Sequence, residues 1–207
     1  MDHGVWIATL AGLLAGLTHA LAGPDHLSAV APLVVGERRS GWGTGLLWGL
    51  GHSGGVWLIG LLALGLRDVL PLERVSSWSE RLVGAVLIAV GLWGLRKAFG
   101  PRLTEEAEAH AHPRSGLAAL WIGGIHGLAG SSHILGLFPA LALPSRSASL
   151  AYMGGFGLGA IMAMVAFASV LGLAAVRLAA FGSRGYQALL GGTSAASIML
   201  GGFWLIS

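Results

Sequence analysis

The 207-residue chain contains no cysteine, which excludes a disulfide framework, a zinc ribbon, an iron–sulfur cluster and a thiol nucleophile. Any metal must therefore be held by histidine, carboxylate, methionine, serine or backbone. Charge is also scarce: Asp, Glu, Lys and Arg make up 10% of the residues, against about 25% in an average soluble domain. That is too little to cover a water-facing surface. Twelve cations against nine carboxylates give a net charge of +3. They stand singly between apolar stretches and form no patch or stripe, which argues against nucleic acid as a partner. No P-loop pattern occurs, so ATP is not used by that route. Met1-Asp2-His3 lacks the positive region of a secretory signal, and the first apolar run is expected to belong to the mature protein.

Apolar residues fill the space left by charge: 55% of the chain is hydrophobic and its mean hydropathy is +0.76. The lipid bilayer is the natural solvent for such a chain, and the expected fold class is all-α, a polytopic membrane protein. A window of about 20 residues picks out six transmembrane segments. They cover residues 5–21 with a continuation past a Gly-Pro interruption to 35, then 42–66, 83–95 with amphipathic flanks from near Trp78, 117–143, 150–178 and 186–206. Eight of the twelve cations, Arg38, Arg39, Arg96 and Lys97 among them, follow the first, third and fifth segments. The positive-inside rule then places both termini outside and the long third loop in the cytoplasm. Thirty-five glycines would be ruinous in soluble helices, but in lipid they let backbones approach closely. Gly12 with Gly16, Gly45 with Gly49, Gly51 with Gly55, Gly123 with Gly127 and Gly155 with Gly159 have the small-xxx-small spacing.

An internal repeat organises the chain. Residues 19–27 read His-Ala-Leu-Ala-Gly-Pro-Asp-His-Leu, with Pro32 six residues after His26; residues 126–134 read His-Gly-Leu-Ala-Gly-Ser-Ser-His-Ile, with Pro139 six after His133. Two histidines, a Leu-Ala-Gly run and a proline kept in register at an offset of 107 divide the chain into a three-helix repeat at 1–100, a polar loop at 101–116 and a second repeat at 117–207. Three spans per half is an odd number, so the second half enters the membrane inverted, with the first helix of each half broken in mid-membrane. That is the architecture of many secondary transporters. In an unbroken helix His19 and His26 are separated by about 10.5 Å of rise, too far to share one ion at the roughly 2.0–2.1 Å that imidazole ligation needs. Gly23-Pro24 can break the helix, leaving Pro24 as a first helical residue and Asp25 near a positive helix end.

Five of the eight histidines, His19, His26, His52, His126 and His133, lie in apolar spans together with Asp25. Ionisable groups at that depth mark ion or substrate pathways. Neutral imidazole with an added carboxylate suits a divalent transition metal; the rival use of the same residues is proton relay. His52 sits among glycines as a further ligand or gate, and Ser132 stands where Asp25 would repeat, so the site is expected to be asymmetric. Outside the spans, His3 with a free N-terminal amine makes a square-planar nickel or copper arrangement, and Glu105, Glu106, Glu108, His110 and His112 are a candidate metal-gathering loop.

The run from His19 to Leu33, with Gly51-His52 and the stretch Phe138 to Arg146, resembles the nickel/cobalt transporter superfamily (NiCoT/NicO). It looks closest to the plant and bacterial high-affinity nickel-transport family proteins. The resemblance spans roughly His19 to Met164. It departs from the NiCoT signature in spacing: five residues, Ala20 to Pro24, separate His19 from Asp25-His26, where the signature has four. The resemblance implies transport of nickel, cobalt or a similar divalent ion, with His19, Asp25 and His26 in the selectivity site. Two other readings are weighed. Gly51-His52-Ser53-Gly54 fits the nucleophile pattern of a rhomboid-like intramembrane serine protease, with His126 or His133 as base, but leaves the duplicated histidine motif unexplained. A membrane subunit of a multi-component metal or anion transporter is the other. The leading expectation is not an enzyme but a secondary or facilitated metal transporter, import favoured, with no prosthetic group. The expected location is a bacterial plasma membrane or an organelle envelope, and a homo-oligomer is admitted.

Overall fold

The computed structural model describes residues 3–37, 41–65, 72–100, 112–129 and 131–206, and among these every element is a helix. The eight helices are α1 (His3–Ala22), α2 (Pro24–Glu37), α3 (Trp42–Gly65), α4 (Leu72–Phe99), α5 (His112–Leu128), α6 (Ser131–Ala142), α7 (Arg146–Ala180) and α8 (Ser183–Ile206). Five stretches are long and apolar enough to cross a bilayer: α1, Trp42–Leu62 of α3, Glu80–Phe99 of α4, α7 and α8. The segment expected at 117–143, with a break in mid-membrane, is divided between α5, of 17 residues, and α6, of 12. At 1.5 Å per residue neither alone spans a hydrocarbon core of about 30 Å. Two boundaries move: α4 begins at Leu72, ahead of the expected flank, and α5 begins at His112, inside the stretch 101–116 expected as a loop.

The helices are packed for lipid. In α1 the buried residues are small, Ala8, Gly12, Gly16 and Ala20, whereas Trp6, Ile7, Leu10 and Leu14 are more than half exposed. A water-facing surface with that much contiguous apolar area would aggregate; in a bilayer it is solvated, and the small residues make the helix contacts. Helix α2 is the opposite case. From Ala29 to Gly36 every residue is buried, because α4, α7 and α8 surround it. Helix α6 lies mainly against α7 with lesser contacts to α1 and α3, so the two short helices are packed unequally.

Chain direction follows from the glycine contacts. A Cβ on Gly12 would collide with the Tyr152 carbonyl and one on Gly16 with the Phe156 carbonyl, so α1 and α7 run parallel. Gly123 meets the Trp48 carbonyl and Gly127 the His52 carbonyl, so α5 runs parallel to α3 in the same manner. Between α3 and α7 the order reverses: Gly45 meets Met164, Ser53 meets Gly157 and Trp57 meets Met153. Those two helices are antiparallel. Helices α4 and α8 are antiparallel too, Gly84 meeting Gly201 and Gly91 meeting Ser194.

A single residue, Gly23, separates α1 from α2. The Gly23 N–H still donates to the His19 carbonyl at 3.1 Å, and the Leu27 N–H to the Gly23 carbonyl at 3.3 Å. Pro24 has no N–H to give the Ala20 carbonyl, and its ring crowds that group, so the helix turns here. In the second half α6 starts at Ser131, the position 107 residues after Pro24, and Pro32 and Pro139 lie within α2 and α6.

Candidate functional site

The break between α1 and α2 brings His19 and His26 together. Their ring centroids are 4.7 Å apart, less than half the rise that a straight helix would impose. His52 reaches the same point from α3, with its ring 4.9 Å from that of His26 and 5.7 Å from that of His19. One nitrogen from each of these three imidazoles lies within 4.8 Å of the others, close enough to share an ion after small rotamer adjustments. His26 and His52 are fully buried and His19 is partly so.

Asp25 is buried beside the cluster, its Oδ2 3.8 Å from His26 Nε2. That is too long for a hydrogen bond, so the carboxylate contributes charge rather than a fixed contact. It sits in the first turn of α2, where the helix dipole favours an anion. His126 is fully buried on α5, 6.2 Å from His26 between ring centroids. Its Nδ1 donates to the Ile122 carbonyl at 3.1 Å, since a carbonyl can only accept. The proton is thereby placed on Nδ1 and the lone pair on Nε2, the arrangement a metal-ligating imidazole needs.

The structure does not bring every expected residue here. His3 is exposed at the start of α1, about 24 Å of helical rise from His19. His133 belongs to the first turn of α6, but its side chain lies outside the described residues, as do Met1 and Asp2, Glu105, Glu106, Glu108 and His110, and the side chain of His112. Two aromatic residues that the sequence reading passed over complete the site. Trp48 stacks on His52 at 4.9 Å, and Phe156 of α7 meets His19 at 5.2 Å. The four-residue spacing of Trp48 and His52 puts both on one helix face and is visible in the sequence; nothing local points to Phe156.

Ser53 is tied up elsewhere. Its hydroxyl donates to the Gly157 carbonyl at 3.0 Å, so its proton goes to backbone rather than to a histidine base. A serine nucleophile needs the reverse arrangement. We expect Ser53→Ala to cost about 1 kcal/mol of stability through the lost bond while metal affinity in purified protein changes by less than about threefold; abolished binding would contradict this geometry.

Gly23 has a specific task. A Cβ there would collide with His26 Nδ1 and stand 3.0 Å from Asp25 Oδ1. The ring would have to swing away, which removes a ligand position without unfolding a helix. Gly23→Ala should therefore lower metal affinity by about tenfold or more in titration calorimetry, a displaced ligand costing at least as much as a lost outer-shell partner. Unchanged affinity would mean that the ring position is immaterial.

Comparison with known proteins adds relatives. The chain is 36% identical over 177 residues to the chloroplast protein FOR GROWTH AND FERTILITY 1 of Arabidopsis thaliana, an alignment covering 78% of this chain and 48% of that one. It is 36% identical over 171 residues to FOR GROWTH AND FERTILITY 2 of the same plant, covering 78% and 46%. A more distant relative is the urease accessory protein UreH of Bacillus sp. (strain TB-90), 28% identical over 178 residues, covering 78% and 75%. The chain thus spans about half the length of the two chloroplast relatives. No protein-family model and no solved structure matches it. The relatives are named as growth, fertility or accessory proteins rather than as enzymes.

Proposed function

We propose that this membrane protein is a transporter for divalent transition-metal ions of the nickel/cobalt type, and that it belongs to the nickel/cobalt transporter superfamily. The carrying observation is the convergence of His19, His26 and His52, one nitrogen from each within 4.8 Å, at a helix break inside a bundle of apolar helices. Imidazole suits nickel, cobalt, zinc and copper, and irregular backbone at membrane depth is tolerated only where protein buries it or a cavity needs it. Likeness to a urease accessory protein supports a metal-related role, and likeness to two chloroplast proteins supports an organelle envelope beside a bacterial plasma membrane as the location.

In this reading residues 1–100 and 117–207 are inverted three-helix repeats. The parallel pairing of α1 with α7 and of α5 with α3 supports it: exchanging the halves turns one pair into the other. The equal placement of the breaks before Pro24 and Ser131 supports it as well. The cargo exchanges water for His19, His26 and His52, with Asp25 offsetting its charge and His126 and His133 as second-stage ligands; the halves then rock around the site. Both termini lie outside, with import as the direction. The protein needs the bilayer and the ion, no prosthetic group, and can act as a homo-oligomer.

The test is uptake of nickel, cobalt, zinc and manganese into proteoliposomes that contain only this protein, beside a His19→Ala/His26→Ala variant. Saturable uptake lost in the variant is expected. No ion movement despite metal binding would favour a subunit that lacks its partner, and no binding would overturn the reading. Uptake should also weaken below about pH 6, because a protonated imidazole, with an ordinary pKa near 6.5, has no lone pair to offer. A rate flat from about pH 5 to about pH 8 would contradict imidazole ligation.

A further inference from the structure

This inference rests on reading the histidine cluster as a metal site and concerns a group which that reading leaves unused. Trp48 is fully buried beside the cluster. Its ring stacks on His52 with the planes 10° apart, meets His26 edge-on at 5.5 Å and lies 5.7 Å from His126. Three of the protein's imidazoles thus surround one indole. The indole N–H is buried, and no hydrogen-bond acceptor among the described residues receives it.

An indole nitrogen only donates, so its missing partner is an acceptor. Burying it unsatisfied is unfavourable, and such a group in a native fold calls for an explanation. The cluster suggests one. Three imidazole nitrogens fill three coordination positions, whereas first-row divalent ions take four to six ligands. The Trp48 N–H cannot itself ligate the ion, and an oxygen ligand that arrives with the ion would give it the acceptor it lacks. We propose that the ion is held with a water molecule still attached and that the Trp48 N–H donates to that water's oxygen. Trp48 is then a positioning residue with two tasks: its face sets the plane of the His52 ring, and its edge retains the water. The ion is only partly dehydrated on entry, which keeps binding reversible enough for release.

Cobalt(II) is the probe, in purified protein and buffer free of organic acids. In wild type, 17O-enriched water should produce a hyperfine coupling to the bound Co2+; its absence overturns the proposal. Trp48→Phe keeps an aromatic ring against His52 but has no N–H. It should bind one Co2+ about tenfold more weakly with an altered visible spectrum, the size of effect that one good hydrogen bond produces. Unchanged affinity and spectrum would overturn the proposal. Should Trp48→Phe fail to fold, 3-benzothienylalanine at position 48 substitutes sulfur for the N–H at nearly constant shape, with the same two outcomes. Failure of the underlying reading looks different: wild type would bind no Co2+, or binding would survive in His26→Ala.

Discussion

Replacing His26 with alanine is expected to lower the affinity for nickel or cobalt by more than about 100-fold and to abolish saturable uptake. The reason is positional. His26 is the central member of the cluster, 4.7 Å from His19 and 4.9 Å from His52 between ring centroids, and it lies within reach of Asp25 and Trp48 as well. Loss of an outer-shell partner typically costs 10–100-fold in metal affinity, so loss of the ligand at the hub should cost at least the upper value. His26 is also fully buried, and alanine leaves a void. His26→Gln retains most of the volume and a polar tip, and separates ligand loss from cavity formation. Both variants should lose binding in titration calorimetry, while His3→Ala, exposed at the far end of α1, should bind as wild type does. Wild-type affinity in the glutamine variant would remove His26 from the site.

The second large effect is structural, and it changes sign between neighbouring residues. Gly54 and Gly55 adjoin on α3. A Cβ on Gly54 meets nothing within 4 Å, whereas one on Gly55 would stand 2.6 Å from the Gly124 carbonyl and 2.7 Å from the Leu128 nitrogen. Backbone cannot rotate aside as a side chain can, so Gly55→Ala forces α5 away from α3. We expect it to cost about 3 kcal/mol or more, at the upper end of overpacking effects. Gly127→Ala, whose Cβ would collide with the His52 carbonyl, should behave alike and weaken metal binding too, because it pushes on the helix that carries His52. Gly54→Ala should stabilise by up to about 1 kcal/mol through helix propensity. Thermal unfolding of the detergent-solubilised variants checks the ordering; equal effects at 54 and 55 would refute the packing described for α3 and α5.

Much of this was legible without coordinates. The glycine pairs proposed from spacing, such as Gly12 with Gly16 and Gly155 with Gly159, all lie at helix contacts, because a helix repeats its face every three to four residues whatever surrounds it. The Gly23-Pro24 break was legible for the same local reason: a missing donor and a ring clash act within one turn. The lengths of the spans were less so. Hydropathy reports the solvent and not the backbone path, and so it missed the start of α4 at Leu72 and of α5 at His112.

Composition and local chemistry therefore determined by themselves that the chain lives in lipid, that it is helical, where its first helix breaks and which histidines are candidates. Only the tertiary structure decided which candidates meet. His52 joins His19 and His26 because α3 crosses at the break, held against α5 and α7 by glycine contacts and by the Ser53 and Trp57 hydrogen bonds. His3 does not join them, since a straight α1 holds it away. Trp48 enters the site by the same helix packing, and α2 is buried because α4, α7 and α8 close over it. These are contacts between residues distant in sequence, and no periodicity within a single segment encodes them.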